Sequence, residues 1–479
     1  MATSNSVLRA CLEAAFRQSI DHLENLDSRP VAATVSLDTL RQRLEKPFAD
    51  DGITPDQVVK ELVGDVAGGI VGSASGRYFA GVIGGTLPAA LAADWLASAW
   101  DQNAVLYATG PAAAIAEEAI GAWLKEIFGL PEGASFALVT GCQMAHATCL
   151  AAARHALLRK RGWDVEQRGL FGAPPIRILS GQERHGSTGR AIRLLGLGLD
   201  QVLDLPTDDA GQLRADALEQ ALAKYPDSPT IVLTQAGEIN TGAYDPFETI
   251  IPLAHQYGGW VHVDGAIGLW AAASPKHRHL VRGAGQADSW ATDGHKWLNV
   301  PHDCGYAFVA DAEAQRGSMA HRAPYLMHAA QARDPMDWTP EWSRRARAFP
   351  TYAALRQLGR RGLADLVERC SRHAHSLVTR IGRLPGAEML WEPVINQGLV
   401  RFLDPRQGAT EQDHDRRTDE VIDAICATGE AIFGGTTWRG RRAMRVSVSN
   451  WRTSDEDVER VVRAVAGVLT AKTLTQSTI

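Results

Sequence analysis

Several common signatures are missing from this sequence, and each absence closes off a class of protein. The six cysteines, Cys11, Cys142, Cys149, Cys304, Cys370 and Cys426, lack the close-paired spacing of a zinc site or a disulfide scaffold, so they are expected as reduced thiols and no metal is expected. There is no basic excess. The net charge is -6, and the arginine-dense stretches Ser343 to Arg347 and Arg439 to Arg445 are short and broken by apolar residues, which argues against nucleic acid and anionic membranes as partners. No apolar run is long enough to cross a bilayer: the most apolar stretch, Phe79 to Leu96, is interrupted by Gly84, Gly85, Pro88 and Asp94. Glu13 and Asp21 precede any long apolar run, so no signal peptide is expected, and a cytoplasmic location follows. Internal repeats and low-complexity linkers are missing too.

What is present is an ordinary globular composition, 45% hydrophobic and 22% charged, over 479 residues. That length exceeds one compact core and predicts a large domain with a smaller one packed on it. Residues 1–75 read as an N-terminal helical segment, with Leu8, Leu12, Ala15 and Phe16 at helical spacing before a polar connection containing Pro30 and Pro47. Residues 76–350 alternate short apolar runs with helical stretches, the pattern of a mostly parallel sheet covered by helices. Expected strands are Phe136 to Val139, Ile176 to Leu179, Thr230 to Thr234, Trp260 to Val263 and Tyr306 to Val309. Residues 351–479 read as a small C-terminal α+β domain with strands at Met389 to Trp391, Leu399 to Phe402 and Met444 to Val448 and a last helix from Asp455 to Thr470.

Four segments carry chemistry, and they fall after these strands, where ligands of such sheets collect. In Asp288-Ser-Trp-Ala-Thr-Asp-Gly-His-Lys-Trp297 a lysine stands between His295 and Trp297, a crowded position in which desolvation would let Lys296 lose its proton and act as a Schiff-base nucleophile. A plain surface lysine is the competing reading. Trp260-Val-His-Val-Asp-Gly-Ala-Ile-Gly268 is an apolar strand ending in Asp264, the carboxylate that pyridoxal 5'-phosphate (PLP) needs on its ring nitrogen, or else a cap of the following turn. In Gly181-Gln-Glu-Arg-His-Gly-Ser187, His185 is placed to stack on a cofactor ring, or is merely structural. The turn Val139-Thr-Gly-Cys-Gln-Met-Ala145 opens an alanine-rich helix whose free N–H groups suit a phosphate, as any strand-glycine-helix turn would.

In this order the pieces resemble the group II PLP-dependent amino acid decarboxylases, which include aromatic amino acid, glutamate, histidine and diaminobutyrate decarboxylases. The resemblance runs from about Arg77 to Thr453 and rests on Gly84-Gly-Thr-Leu-Pro88, Gly237-Glu-Ile-Asn-Thr-Gly-Ala-Tyr-Asp-Pro246, His262-Val-Asp-Gly-Ala266, Asp293-Gly-His-Lys-Trp297 and Ser343-Arg-Arg-Ala-Arg347. It implies an α/β, aspartate-aminotransferase-like (fold type I) large domain and a homodimer with active sites at the interface. It further implies Lys296 as the cofactor lysine, Asp264 as the pyridinium partner and His185 as the stacking histidine. Ala266 would pack under the ring, with Gly141, Cys142, Gln143, Asp293 and His295 near the phosphate. Tyr78, Phe79 and Arg445 match substrate-pocket positions, Arg445 as the holder of a substrate carboxylate or as half of a structural ion pair. Gln102 and Asn103 match a segment that reaches across the dimer.

The sequence departs from the family twice. Gly141-Cys142-Gln143, followed by His146, replaces smaller residues and an asparagine. In aromatic amino acid decarboxylases a mobile loop supplies a proton-donating tyrosine, whereas Met327 to Trp342 contains none, leaving His328, Asp334 and Asp337 as acids. The expected activity is decarboxylation of a small L-amino acid, aromatic or otherwise uncharged, to amine and carbon dioxide. Alternatives are a decarboxylation-coupled oxidative deamination that yields an aldehyde, a transaminase, and a catalytically silent PLP-binding homologue.

Overall fold

The computed structural model describes residues 5–321 and 332–476. Two sheets organise the chain. The larger contains β1 (Ser135–Val139), β2 (Arg177–Gly181), β3 (Val202–Leu205), β4 (Thr230–Gln235), β5 (Trp260–Asp264), β6 (Ser289–Asp293) and β7 (Gly305–Val309), in the order β1-β7-β6-β5-β4-β2-β3. From β3 to β6 all neighbours are parallel, while β7 runs antiparallel to both β6 and β1. The smaller sheet contains β8 (Ala387–Trp391), β9 (Gln397–Phe402), β10 (Gly434–Trp438) and β11 (Arg441–Ser447), in the antiparallel order β10-β11-β9-β8.

The central strands are apolar almost throughout because helices cover both faces of the large sheet. Successive residues divide between the two faces, as a strand's alternation requires. Ile231 and Leu233 pack with the helix Cys142–Arg159, whereas Val232, Val261 and Trp290 join the other core with the helix Phe247–Gln256. The helix Ala348–Gly382 kinks at Gly359, whose φ of 58° suits glycine, and its later part packs against β8 and β9.

Strand predictions for β1, β2, β4, β5, β7, β8, β9 and β11 agree with the structure to within a few residues, but β3, β6 and β10 were not foreseen. β6 reads Ser-Trp-Ala-Thr-Asp, polar by letter, yet each residue is buried. Its polar groups find partners in the neighbouring strand and turn: Thr292 Oγ1 donates to the Gly265 carbonyl at 2.9 Å, and Ser289 Oγ accepts the Trp260 indole N–H at 2.9 Å.

The N-terminal segment forms helices Asn5–Glu24, Leu37–Leu44 and Pro55–Val66. The first buries no residue, and Leu8, Leu12 and Phe16 are each more than half exposed. Among the described residues no helix is long and apolar enough to cross a membrane. All six cysteines are free.

Candidate active site

The carboxyl ends of the parallel strands open onto one cavity of about 250 Å³. β1 is antiparallel to β7, and β7 to β6, so the end of β1 faces the same edge. Lys296 follows β6 by three residues, Asp264 ends β5, His185 lies four residues beyond β2, and Gly141 to Gln143 lead from β1 into the helix Cys142–Arg159. The cavity wall contains these residues together with Ala266, Asp293 and His295, which is every member of the cofactor set named from the sequence. It also contains Ser187, Gln235, Gly237, Ile239 and Ile267.

The turn that carries Lys296 is held on all sides. A Cβ on Gly294 would stand 2.3 Å from the Tyr306 hydroxyl, and one on Gly84 would stand 1.9 Å from the Lys296 carbonyl oxygen, so a side chain at either position would force the turn or its neighbours to shift. Trp297 is fully buried and donates its indole N–H to the Ile267 carbonyl. Asn299, at a left-handed φ of 55°, donates to the carbonyls of Trp297 at 2.7 Å and Ser449 at 3.0 Å and accepts the Trp451 N–H at 2.9 Å, tying the turn to the C-terminal segment.

The lysine does not sit as expected in one respect. Desolvation was to release its proton, and burial does favour the neutral amine. Asp293, whose Oδ2 is 3.1 Å from Nζ, together with Cys142 and Asp264, outweighs that and raises the Lys296 pKa above its usual value.

Asp264 shows the opposite balance. Burial works to raise its pKa, but His146, His185 and the Ala266 N–H at 3.1 Å prevail and hold it well below the usual carboxylate range. His185 caps the helix Gly186–Leu194, its Nδ1 2.7 Å from Ser187 Oγ. Its pKa is lowered, first by the protein packed around it and then by Lys296, His146 and Arg445, against the pull of Asp264, so the ring is neutral at neutral pH. His295 is pushed down to about 4, again chiefly by burial, and stacks on His302 with centroids 4.3 Å apart.

The residues present fit PLP. The first N–H of the helix Cys142–Arg159 already binds an anion, since Cys142 N donates to Asp293 Oδ1 at 2.5 Å, as a helix N-terminus favours. Gly141 leaves the approach open: a Cβ there would lie 3.3 Å from His295. The Cys142 side chain turns away into the core, toward His146 and Asp264, while Gln143 lines the cavity.

The remaining positions named from the sequence lie elsewhere. Phe79 is fully buried and stacks on Phe433 at 5.2 Å, so its ring belongs to the core; Tyr78 is half-buried beside Ile432. Arg445, on β11, makes no ion pair among the described residues. One nitrogen donates to the Ala80 carbonyl at 2.7 Å, and its buried Nε has no partner. Gln102 donates to the Trp100 carbonyl, and Asn103 accepts the Arg344 N–H at 3.1 Å within its own chain. Met327 and His328 lie outside the described residues. Asp334 accepts the Tyr107 N–H at 2.9 Å and Asp337 lies 3.8 Å from Arg316, both buried. Sequence reasoning assigned no role to His146, His262 or Ser289; His146 stood out only as a departure from asparagine.

A lysine and an aspartate brought to one cavity by adjacent parallel strands, beside a helix N-terminus and with a histidine in the same wall, define a fold type I PLP enzyme. The chain belongs to the pyridoxal-dependent decarboxylase family: residues 38–403 match the family described as "Pyridoxal-dependent decarboxylase conserved domain". It is similar to the aromatic-L-amino-acid decarboxylase of Bacillus atrophaeus, 25% identical over 456 residues that cover 93% of this chain and 92% of that one. An acidic amino acid decarboxylase of Mus musculus is 27% identical over 435 residues, covering 88% and 78%. Among solved structures, Oryza sativa TDC with PLP and tryptamine superimposes with a TM-score of 0.91 at 24% identity, covering 98% of this chain and 99% of that chain, a likeness that establishes the fold. The family consists of PLP-dependent amino acid decarboxylases, which are lyases.

Proposed function

We propose that the protein removes the α-carboxylate of an L-amino acid, aromatic or otherwise uncharged, to give the amine and carbon dioxide. The observation that carries this reading is the cavity shared by Lys296, Asp264 and His185 in a chain of this family. Lys296 would hold the cofactor covalently, Gly141, Cys142, Gln143, Asp293 and His295 would surround its phosphate, Asp264 would face its ring nitrogen, and Ala266 and His185 would flank the ring. When bound, PLP supplies an electron sink for the bond that breaks.

The chain's own residues do the rest. Asp264, ionised despite burial, favours a proton on the facing nitrogen. His185, neutral at neutral pH, offers an aromatic face and a hydrogen bond to the substrate. Arg445, half-buried outside the cavity wall and with a buried Nε that has no partner, would anchor a substrate carboxylate, and fixing that group fixes which bond is presented for cleavage. Lys296 Nζ, once exchanged for the substrate amine, is held as an ammonium by Asp293 and provides a proton for the carbon that loses carbon dioxide.

Oxidative deamination to an aldehyde is the second reading. It is favoured by the missing loop tyrosine in Met327 to Trp342 and by the likeness to phenylacetaldehyde synthase of Arabidopsis thaliana, 22% identical over 460 residues covering 93% of this chain and 92% of that one. We further infer a cytoplasmic homodimer with its sites at the interface, supported by the uncovered apolar face at Leu8, Leu12 and Phe16, and domains at 1–75, 76–350 and 351–479.

The test mixes PLP-loaded protein with each of the twenty amino acids, diaminobutyrate and cysteine sulfinate while following carbon dioxide, amine and peroxide together. Carbon dioxide with stoichiometric amine is the expected result; carbon dioxide with peroxide moves the assignment to the aldehyde-forming reaction. Lys296→Ala is expected to abolish turnover and the cofactor mass fixed to the chain by borohydride. Turnover at the normal rate in that variant would refute the scheme.

A further inference from the structure

Behind Asp264 a row of polar side chains, hydrogen-bonded from His146 inward, runs from the cavity into the core. Asp264 Oδ2 is 3.4 Å from His146 Nε2, and His146 Nδ1 is 2.8 Å from His262 Nε2. His262 Nδ1 is 2.9 Å from Ser289 Oγ, which accepts the Trp260 indole N–H. His146, His262 and Ser289 are fully buried. Local structure builds the array: His262 on β5 pairs in register with Ser289 on β6, while His146 enters from one turn inside the helix Cys142–Arg159.

Proton counting gives the array a direction. Burial, reinforced by His146, pushes His262 down to about 3, so its ring is neutral and carries one proton. With that proton on Nε2, His262 donates to His146 Nδ1, the Ser289 hydroxyl donates to His262 Nδ1, and the proton of His146 sits on Nε2, facing Asp264. With it on Nδ1, His262 donates to Ser289 and accepts from His146 Nδ1. In that arrangement His146 Nε2 faces Asp264 Oδ2 and, also at 3.4 Å, the Cys142 thiol, which can donate to it. The first arrangement aims an N–H of His146 at Asp264 Oδ2, a charge-assisted contact stronger than one from a thiol. The other oxygen accepts the Ala266 N–H at 3.1 Å and faces Cys142 Sγ at 3.9 Å. With His146 in that tautomer the carboxylate is held from behind on both oxygens.

We propose that His146, itself set by His262 and Ser289, is a positioning residue that keeps Asp264 ionised and aimed at the cofactor's ring nitrogen, so that this nitrogen stays protonated. The inference rests on the assignment of Asp264 made above. Outer residues of this kind fix the tautomer and orientation of the group in contact with a cofactor, as they do around metals.

The test uses the full chain loaded with PLP carrying ¹⁵N at its ring nitrogen, whose NMR shift in neutral buffer reports protonation. In the wild type the nitrogen is expected protonated. In His146→Leu the signal is expected to move toward the unprotonated position, with kcat and cofactor affinity lower by about 10- to 100-fold, the loss of one hydrogen bond to a charge. His146→Gln, which restores a side-chain N–H, is expected to recover the wild-type shift. His262→Gln, which perturbs the array one step back, serves if His146→Leu does not fold. A ¹⁵N signal unchanged in the folded variant, whatever the loss of melting temperature, overturns the proposal and leaves His146 as packing alone. A wild-type protein that fails to take up the label at Lys296 overturns the assignment of the site itself, and that failure is visible before any variant is compared.

Discussion

Arg344 and Glu117 offer the sharpest test of how the chain after residue 332 is held over the large domain. Both are fully buried. Arg344 Nη1 donates to Glu117 Oε1 at 2.5 Å and to the Ala104 carbonyl at 3.0 Å, and Nη2 donates to the Leu138 carbonyl at 2.6 Å, so one guanidinium joins the helix Pro111–Phe128, strand β1 and the segment near Asn103. Glu117 Oε2 has no hydrogen-bond partner of its own, so removing the guanidinium leaves its carboxylate with only the charge of Arg333 for compensation. Breaking a buried pair by removing one member costs about 3–5 kcal/mol, and the two carbonyls released in Arg344→Met put that variant at the upper end. Glu117→Leu is expected nearer 3 kcal/mol, since Arg344 keeps its two carbonyls. Replacing both partners removes that buried charge, so Glu117→Leu/Arg344→Met is expected to recover about 2–3 kcal/mol relative to the sum of the singles. Urea midpoints at fixed protein concentration measure the cycle. Singles that add to within about 0.5 kcal/mol would refute the reasoning, because the two groups would then not be compensating each other.

Two further outcomes follow from the cavity and its backing. Gly294→Ala forces a methyl group to within 2.3 Å of the Tyr306 hydroxyl, which is itself 2.9 Å from Thr351 Oγ1. It is expected to cost about 1–3 kcal/mol, seen as a lower melting temperature, and to weaken cofactor retention because the lysine turn must shift; unchanged values in both would show that the turn is looser than the contacts imply. His262, lowered to about 3 in the folded protein from 6.5, contributes nothing to pH dependence above 6.5, where it is neutral folded and unfolded. Below that the unfolded chain takes the proton first, so stability falls by up to roughly 4–5 kcal/mol between the two values. A urea series across that acidic range should therefore be flatter in His262→Gln, and an equally steep profile would assign the acid loss to other groups.

How much of this was readable in advance depends on how local each feature is. The strands β4 and β5 announce themselves as apolar runs, and Lys296, Asp264 and His185 are legible because each lies within a few residues of a strand end, where topology alone brings side chains to a common edge. The glycine-bearing motifs answer to close contacts in this chain: Gly294 lies against Tyr306, Gly84 against the Lys296 carbonyl and Gly85 against Asn450. β6 and β10 were not legible. Hydrophobicity is read from letters, whereas the polar side chains of β6 are buried because specific neighbours satisfy them.

The sequence by itself determined the class of sheet, the cofactor and a set of side chains that shares one cavity. Only the tertiary structure decided their ionisation and their support. Burial alone would have released the proton of Lys296, and the placement of Asp293 at 3.1 Å reverses that sign. Phe79 and Tyr78 are adjacent in the chain, yet the core takes one whole and leaves the other half-buried. His146 and His262, 116 residues apart, meet because a helix crosses β5 at one particular height. Charge state and hydrogen-bond partnership depend on distances of a few ångströms between remote segments, and no spacing along the chain encodes them.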